Sequence, residues 1–205
     1  MKLKYTTKYI AYTAILVAIN VIVNALPFPF VPGSGTKFSF TYIPTFLAGY
    51  YFGPGAGFLV GALGDVFGWL IKSSDGAWSP LITLTSGLMG VIPGFVRYIP
   101  VKQKYKTAIS FFSTYLIVSA TLNSLITWFF FYAGNKTFLG FLGFRMAIQL
   151  IVMLTNLVPT LVLMPVFDRI IGSRVKAMKE RQTKGEAKGE VSTTNDDMMQ
   201  KTSEE

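Results

Sequence analysis

The stretch that decides the fold is Phe38–Ile71, FSFTYIPTFLAGYYFGPGAGFLVGALGDVFGWLI. It is apolar almost throughout, and its 34 residues are too many for one membrane-crossing helix and few for two full ones. Gly53-Pro54-Gly55 interrupts it with turn chemistry. Read as two helices, over about 40–53 and 55–71, it raises the number of apolar spans from five to six. Four further runs flank it: Tyr9 to Leu26, ended by Pro27, Pro29 and Pro32; Pro80 to Val96, with Pro93 near its end; Lys106 to Tyr132; and Phe141 to Ile171. These place spans at about 9–26, 80–96, 107–132 and 142–171. The first run follows Lys2, Lys4 and Lys8 as a signal peptide would, but it is long and no A-x-A site follows, so it is read as a retained span.

Charge chooses six spans over five. With six, Lys2/Lys4/Lys8, Arg97/Lys102/Lys104/Lys106 and Arg169/Arg174/Lys176/Lys179 all fall on one side of the membrane. The opposite loops then hold only Lys37, Lys72 and Lys136, with Arg145 just inside the last span. With five, the second basic cluster would be translocated, against the positive-inside rule. The expectation is an all-α, six-helix membrane bundle over 1–172 with both termini cytoplasmic. Residues 173–205, rich in Lys, Glu, Thr and Ser, read as a disordered cytoplasmic tail.

Composition narrows the function classes. Of 205 residues 51% are hydrophobic and 14% charged, against about 25% charged in an ordinary soluble domain. The tail alone holds 14 of the 29 charged residues, and between Tyr9 and Val96 only Lys37, Asp65, Lys72 and Asp75 are charged. A soluble enzyme has too little polar surface here. With neither Cys nor His, the chain lacks thiol chemistry, Cys/His zinc sites and imidazole relays. The net charge of +9 does not point to nucleic acid, because the basic residues flank apolar runs instead of forming one stripe. No P-loop is present, so the chain has no visible way to hydrolyse ATP.

Several residues stand out within the spans. Gly49, Gly53, Gly57 and Gly61, then Gly64 and Gly68, and later Gly90 and Gly94 put small residues on single helix faces, which implies close packing, tightest for the second and third helices. Ala14-x-x-x-Ala18 makes a small-residue stripe on the first helix, read either as internal packing or as a docking face for another membrane protein. Asp65 lies in the third span with no Lys or Arg nearby in sequence, and a carboxylate at membrane depth is a functional hypothesis by default. Gly64-Asp65 matches only the end of the Gly-x-Gly-Asp of intramembrane aspartyl proteases. Ala62 replaces the first glycine, and Asp168 sits at the cytoplasmic helix end, so no second intramembrane Asp is present. Arg145, with Gln149 one turn on, is either a snorkelling interface anchor or a guanidinium presented to an anion. The outer side carries Lys37, Lys72, Lys136 and Arg145 against Asp75 and Asp65, a balance that favours an anionic solute over a cationic one such as thiamine. Phe38, Tyr42 and Trp78 are among the aromatics crowding the outer half. They can form an interfacial belt or stack on a planar ring, and Trp78 lies in a loop short and polar enough to serve as a lid.

Taken in order, Ala14-x-x-x-Ala18, Ile43-Pro44 with Leu47-Ala48-Gly49, Gly53-Pro54, Gly57, Val60-Gly61-Ala62-Leu63-Gly64-Asp65, Pro80 to Thr85 and Gly90-x-Ile92-Pro93-Gly94 resemble the substrate-binding S components of energy-coupling factor (ECF) vitamin transporters. The resemblance covers roughly 8–170 and is strongest to the folate-specific members. It implies a non-catalytic cell-membrane subunit that captures a vitamin from outside, with folate expected. It also implies partnership with a transmembrane coupling protein and with two cytoplasmic ATPases, which use the ATP; this chain itself needs no cofactor. The alanine motif would pack on the coupling helices, and the subunit would topple to deliver its load. The site expected on this basis has the folate glutamate carboxylates on Arg145 and Lys37 and the pterin among Trp78, Phe38 and Tyr42. Asp65 would accept the pterin N–H groups, and Gln149 would add an amide contact. The other readings are an S component for pantothenate, riboflavin or a queuosine precursor, and, from different classes, a small membrane enzyme acting on lipid or a channel.

Overall fold

The computed structural model describes residues 7–26, 30–31, 36–72, 78–131 and 137–173. Their helices form six rods in chain order. The first is α1 (Thr7–Ala25), which stops before Pro27, as the steric restriction on the residue before a proline requires. A minimal antiparallel pairing follows, β1 (Phe30–Val31) with β2 (Thr36–Lys37), in the register Phe30 to Lys37 and Val31 to Thr36. The sequence reading had no strand there. The second rod is α2 (Tyr42–Leu47) with its π-helical continuation Ala48–Phe52; the third is α3 (Pro54–Ile71); the fourth is α4 (Pro80–Val96). The fifth joins α5 (Gln103–Thr114), a π-helical stretch Tyr115–Asn123 and α6 (Ser124–Phe131). The sixth is α7 (Phe138–Phe167), which ends in the π-helical turn Asp168–Gly172. Three of these helices, Pro54–Ile71, Gln103–Phe130 and Phe138–Ile170, are long and apolar enough to cross a membrane.

The chain divides into two compact units, Met1–Leu163 and Met164–Glu205, a boundary that falls inside α7. In the second unit the described part is the end of α7 and the turn after it, where the Ser173 hydroxyl donates to the Arg169 carbonyl at 2.6 Å. The expected tail beyond 173 lies outside the described residues.

Gly53 breaks the long apolar stretch. Its φ of 107° lies in the region that L side chains avoid, and Pro54 then opens α3 with a φ preset for a helix. From there α3 packs with backbone against backbone. A methyl group added at Gly57 would overlap the Gly90 carbonyl of α4 and the Cα of Gly49; one added at Gly61 would overlap the Ser86 carbonyl, and at Gly94 the Pro54 ring. The tightest approach is thus of α3 to α4, with the second rod joining at Gly49. The glycine spacing alone implied the second and third helices.

On its other side α3 meets α1 through polar side chains. Thr13, Leu16, Asn20 and Asn24 form the buried face of α1. Asn20 Nδ2 donates to the Val60 carbonyl at 2.8 Å and to Thr45 Oγ1 at 3.1 Å, and Asn24 Nδ2 donates to the Gly64 carbonyl at 3.0 Å. Gly64 and Gly68 leave the room these two amides occupy. Such interhelical bonds contribute on the order of 0.6–2 kcal/mol each in a bilayer.

The second rod, 11 residues from Tyr42 to Phe52, is about 16 Å long, roughly half a hydrocarbon core. Non-helical backbone leads into it, and in lipid such backbone must be satisfied by protein. Asn156 of α7 does this, its Nδ2 donating to the Ser39 carbonyl at 2.8 Å. At the opposite end of the same rod Arg97 Nη1 donates to the Tyr51 carbonyl at 3.3 Å. The core between these ends holds Phe46, Val60, Phe111 and Val118. Large apolar side chains face outward on every rod except the second, from Ile22 on α1 to Val162 on α7, as a bilayer solvent permits.

Gly57→Leu is expected to destabilise the bundle by more than about 3 kcal/mol, because backbone atoms that meet it cannot rotate away as a side chain can. Gly143→Ala, where nothing lies within 4 Å, should leave the melting temperature in detergent unchanged or slightly raised. Equal melting temperatures for Gly57→Leu and the unaltered protein would contradict the close packing.

Candidate functional site

Two polar groups inside the bundle carry the chemistry. The first stands between α7 and the fifth rod. Arg145, two turns into α7, is only 2% exposed, and its Nε donates to Ser124 Oγ at 3.2 Å. Its guanidinium carbon lies 5.5 Å from the centre of the Phe141 ring. Gln149, one turn further, is also buried, and its amide orientation follows from its neighbours. With the oxygen toward Arg145 it accepts from Nε at 3.0 Å and Nη2 at 3.2 Å, and its nitrogen donates to the Ser119 carbonyl at 2.8 Å. The reverse orientation would set donors against donors. Arg145 is therefore an interior guanidinium and not a snorkelling interface anchor.

The fifth rod shapes this seat through its π-helical stretch. A widened turn shifts the backbone ladder and frees carbonyls, and π-bulges often occur at functional sites. Ser124 Oγ donates to the Ser119 carbonyl at 2.9 Å, and Thr121 Oγ1 donates to the Leu116 carbonyl at 2.8 Å, both reaching back five residues. The Tyr115 hydroxyl donates across to the Met146 carbonyl of α7 at 3.0 Å. Ser119 and Ser124 escaped the sequence reading, because a serine in an apolar helix looks the same whether it bonds its own backbone or a buried cation.

The second group joins α3 to the start of α4. Trp78 Nε1 donates to Thr83 Oγ1 at 2.9 Å, and the Thr83 hydroxyl donates to Asp65 Oδ2 at 2.7 Å. The structure thus brings together Asp65 and Trp78, two residues singled out separately, and the residue that links them, Thr83, was not singled out. Trp78 remains 44% exposed with its indole N–H fixed. The hydrogen bonds of this group and those around Arg145 lie on different helices.

Tyr42 is tied into the core between the second and fifth rods. Its hydroxyl donates to Thr114 Oγ1 at 2.8 Å, and its ring meets Phe111 edge-on at 4.5 Å. Phe38 is half-buried beside Ser39, the residue held by Asn156. Lys37 closes β2, and its side chain lies outside the described residues, as do Asp75 and Lys136. Ala14 and Ala18 are exposed on α1, on the side away from Asn20 and Asn24, flanked by the exposed Ile10, Ile15 and Ile22. Internal packing, one of the two readings of that stripe, is not what the structure shows.

Comparison with known proteins gives the fold a family. Among solved structures the chain is similar to the crystal structure of FolT bound with folic acid, at 24% identity and a TM-score of 0.64, over 77% of this chain and 94% of that one. It is also 32% identical over 94 residues to the MG313 homolog of Mycoplasma pneumoniae, an uncharacterized protein. That match covers 43% of this chain and 32% of the relative, so the chain spans about a third of the length of the curated relative it matches. The family model described as "ECF transporter, substrate-specific component" matches residues 8–171, nearly all of the described helices. The chain belongs to the family of ECF transporter substrate-specific components.

Proposed function

We propose that this protein captures folate from outside the cell and delivers it inward by toppling while docked on an ATP-driven coupling module. The observation that carries the reading is the interior guanidinium of Arg145 within a fold shared with a folate-bound relative. A charge at membrane depth is retained for function, and a guanidinium matches a carboxylate through two parallel N–H bonds. Arg145, with Lys37, holds the glutamate carboxylates; the pterin stacks among Trp78, Phe38 and Tyr42, and Asp65 accepts its N–H donors. Thr83 fixes the Trp78 ring for that stacking. Because Arg145 is closed off by its neighbours, uptake is coupled to side-chain movement around it.

The chain is a multi-pass protein of the cell membrane with both termini cytoplasmic. It performs no catalysis and needs no cofactor, and ATP hydrolysis belongs to two cytoplasmic ATPases. The exposed alanine face of α1 is where a transmembrane coupling protein docks, since alanine lets two helix backbones approach.

Three measurements test these assignments. Arg145→Ala should weaken folate binding by tenfold to more than a hundredfold, the equivalent of about 1.5–3 kcal/mol for a lost charge-assisted pair. Arg145→Lys, which keeps the charge without the fork, should fall between the two. Unchanged affinity in the alanine variant would make Arg145 a purely structural cation.

Ala14→Trp and Ala18→Trp should abolish uptake in cells while the purified subunit still binds ligand, because the added ring holds the coupling helix off. Loss of binding instead would mean that the face serves the ligand site.

The chain contains no cysteine, so Gln103→Cys gives a single reporter in the basic 97–106 stretch, at the start of α5. It should resist an impermeant thiol reagent in intact cells, and labelling from outside would invert the topology.

A further inference from the structure

We propose that Gln149 is a neutral placeholder on the anion-binding edge of Arg145, which a ligand carboxylate must displace. The inference rests on the reading above, that the bundle binds an anionic vitamin, and adds how the site is kept when empty. The Nε and one Nη of a guanidinium form the fork that takes a carboxylate bidentately. Here a single amide oxygen fills that fork, accepting from Nε at 3.0 Å and Nη2 at 3.2 Å. It stands where a carboxylate oxygen would stand.

The placeholder is held well enough to be ordered and weakly enough to leave. Its NH2 is anchored on the Ser119 carbonyl at 2.8 Å, and that carbonyl also receives Ser124 Oγ at 2.9 Å. The single Nε–H of Arg145 is shared between Gln149 and Ser124 Oγ at 3.2 Å, so neither acceptor has it fully. An amide oxygen supplies hydrogen bonds but no negative charge, whereas a carboxylate supplies the same bonds and adds direct Coulomb attraction to the guanidinium. Both ends of the Gln149 amide are already used inside the protein. The two lone pairs of its oxygen are both committed to Arg145, so a ligand donor that took the oxygen would break a bond already made, and only the second N–H of the NH2 is left to offer. Its role is competition for the guanidinium and not added contact.

This role and direct contact predict opposite signs. Removing the placeholder with Gln149→Met, which conserves volume, should strengthen folate binding by about two- to tenfold, the affinity equivalent of one net hydrogen bond. Gln149→Glu sets a permanent carboxylate on the same edge. It should weaken folate at least about a hundredfold while holding or raising the melting temperature of the ligand-free protein. The experiment titrates the purified full-length protein in detergent, unaltered and in both variants, with folate and with p-aminobenzoylglutamate. The second ligand carries the same two carboxylates without the pterin, so both ligands should shift in the same direction. Weaker folate binding by folded Gln149→Met, or near-normal binding by Gln149→Glu, overturns the placeholder while leaving the vitamin reading intact. If the unaltered protein binds neither ligand, the folate reading falls and the placeholder falls with it.

Discussion

Everything in the bundle depends on how closely α3 can lie against its neighbours. A helix in lipid gains nothing from hydrophobic burial against another helix, so it must gain from close packing and from hydrogen bonds that lipid cannot make. Helix α3 uses both. Its glycines bring its backbone onto that of α4 at Gly57 and Gly90, while the Val60 and Gly64 carbonyls on its other side receive the amides of Asn20 and Asn24. The two devices are coupled, because it is the missing side chains at Gly64 and Gly68 that admit the asparagines. With α3 clamped from both sides, Asp65, between Gly64 and Gly68 in sequence, is fixed in position relative to Thr83 of α4.

The two interior charges are housed in different ways. Asp65 is half-buried and takes a hydroxyl that is itself tied to a surface indole, so its environment extends to the outside through Trp78. Arg145 is enclosed, with Gln149 and Phe141 of its own helix on it and with Ser124, the residue that follows the nine-residue π-helical stretch, accepting from its Nε. Ser119, inside the π-helical stretch, accepts from Ser124 and Gln149 together, and such stretches often occur at functional sites. The distortion and the buried cation therefore belong to one arrangement.

Much of the architecture was legible from hydropathy and prolines. Apolar runs bounded by Pro27, Pro80 and Gly53-Pro54 mark where α1 ends and α3 and α4 begin, because proline stops or starts a helix for local steric reasons. What was not legible is which faces meet. Four-residue glycine spacing identifies a smooth face but carries no record of its partner, so the sequence implied tight packing of the second and third helices without showing that α3 meets α4 most closely. Asn20 and Asn24 passed unnoticed in an apolar run, although their four-residue spacing was a usable signal for an interhelical clamp. Arg145 was ambiguous for a geometric reason. Seven residues, or about 10 Å, from the start of α7, a side chain long enough to snorkel can equally turn inward, and only packing decides. The short pairing of β1 and β2 lies among prolines and glycines that announce a turn without specifying a ladder.

Helix α1 has two different faces. Thr13, Leu16, Asn20 and Asn24 recur at three- and four-residue steps and face inward, while Ala14 and Ala18 recur at a four-residue step and face outward. The inward face is held by directional bonds to α3 carbonyls; the outward face sets the small side chains of Ala14 and Ala18 among exposed isoleucines. A partner helix drawn onto the alanines can therefore press on α1 without competing for the amides that hold α1 to α3. Because α1 is bonded to α3, and α3 is seated on α4, a tilt imposed at the alanine face is passed to the whole clamped set of helices. Asp65, Thr83 and Trp78 would then move with it as one unit, which is what the toppling proposed above requires.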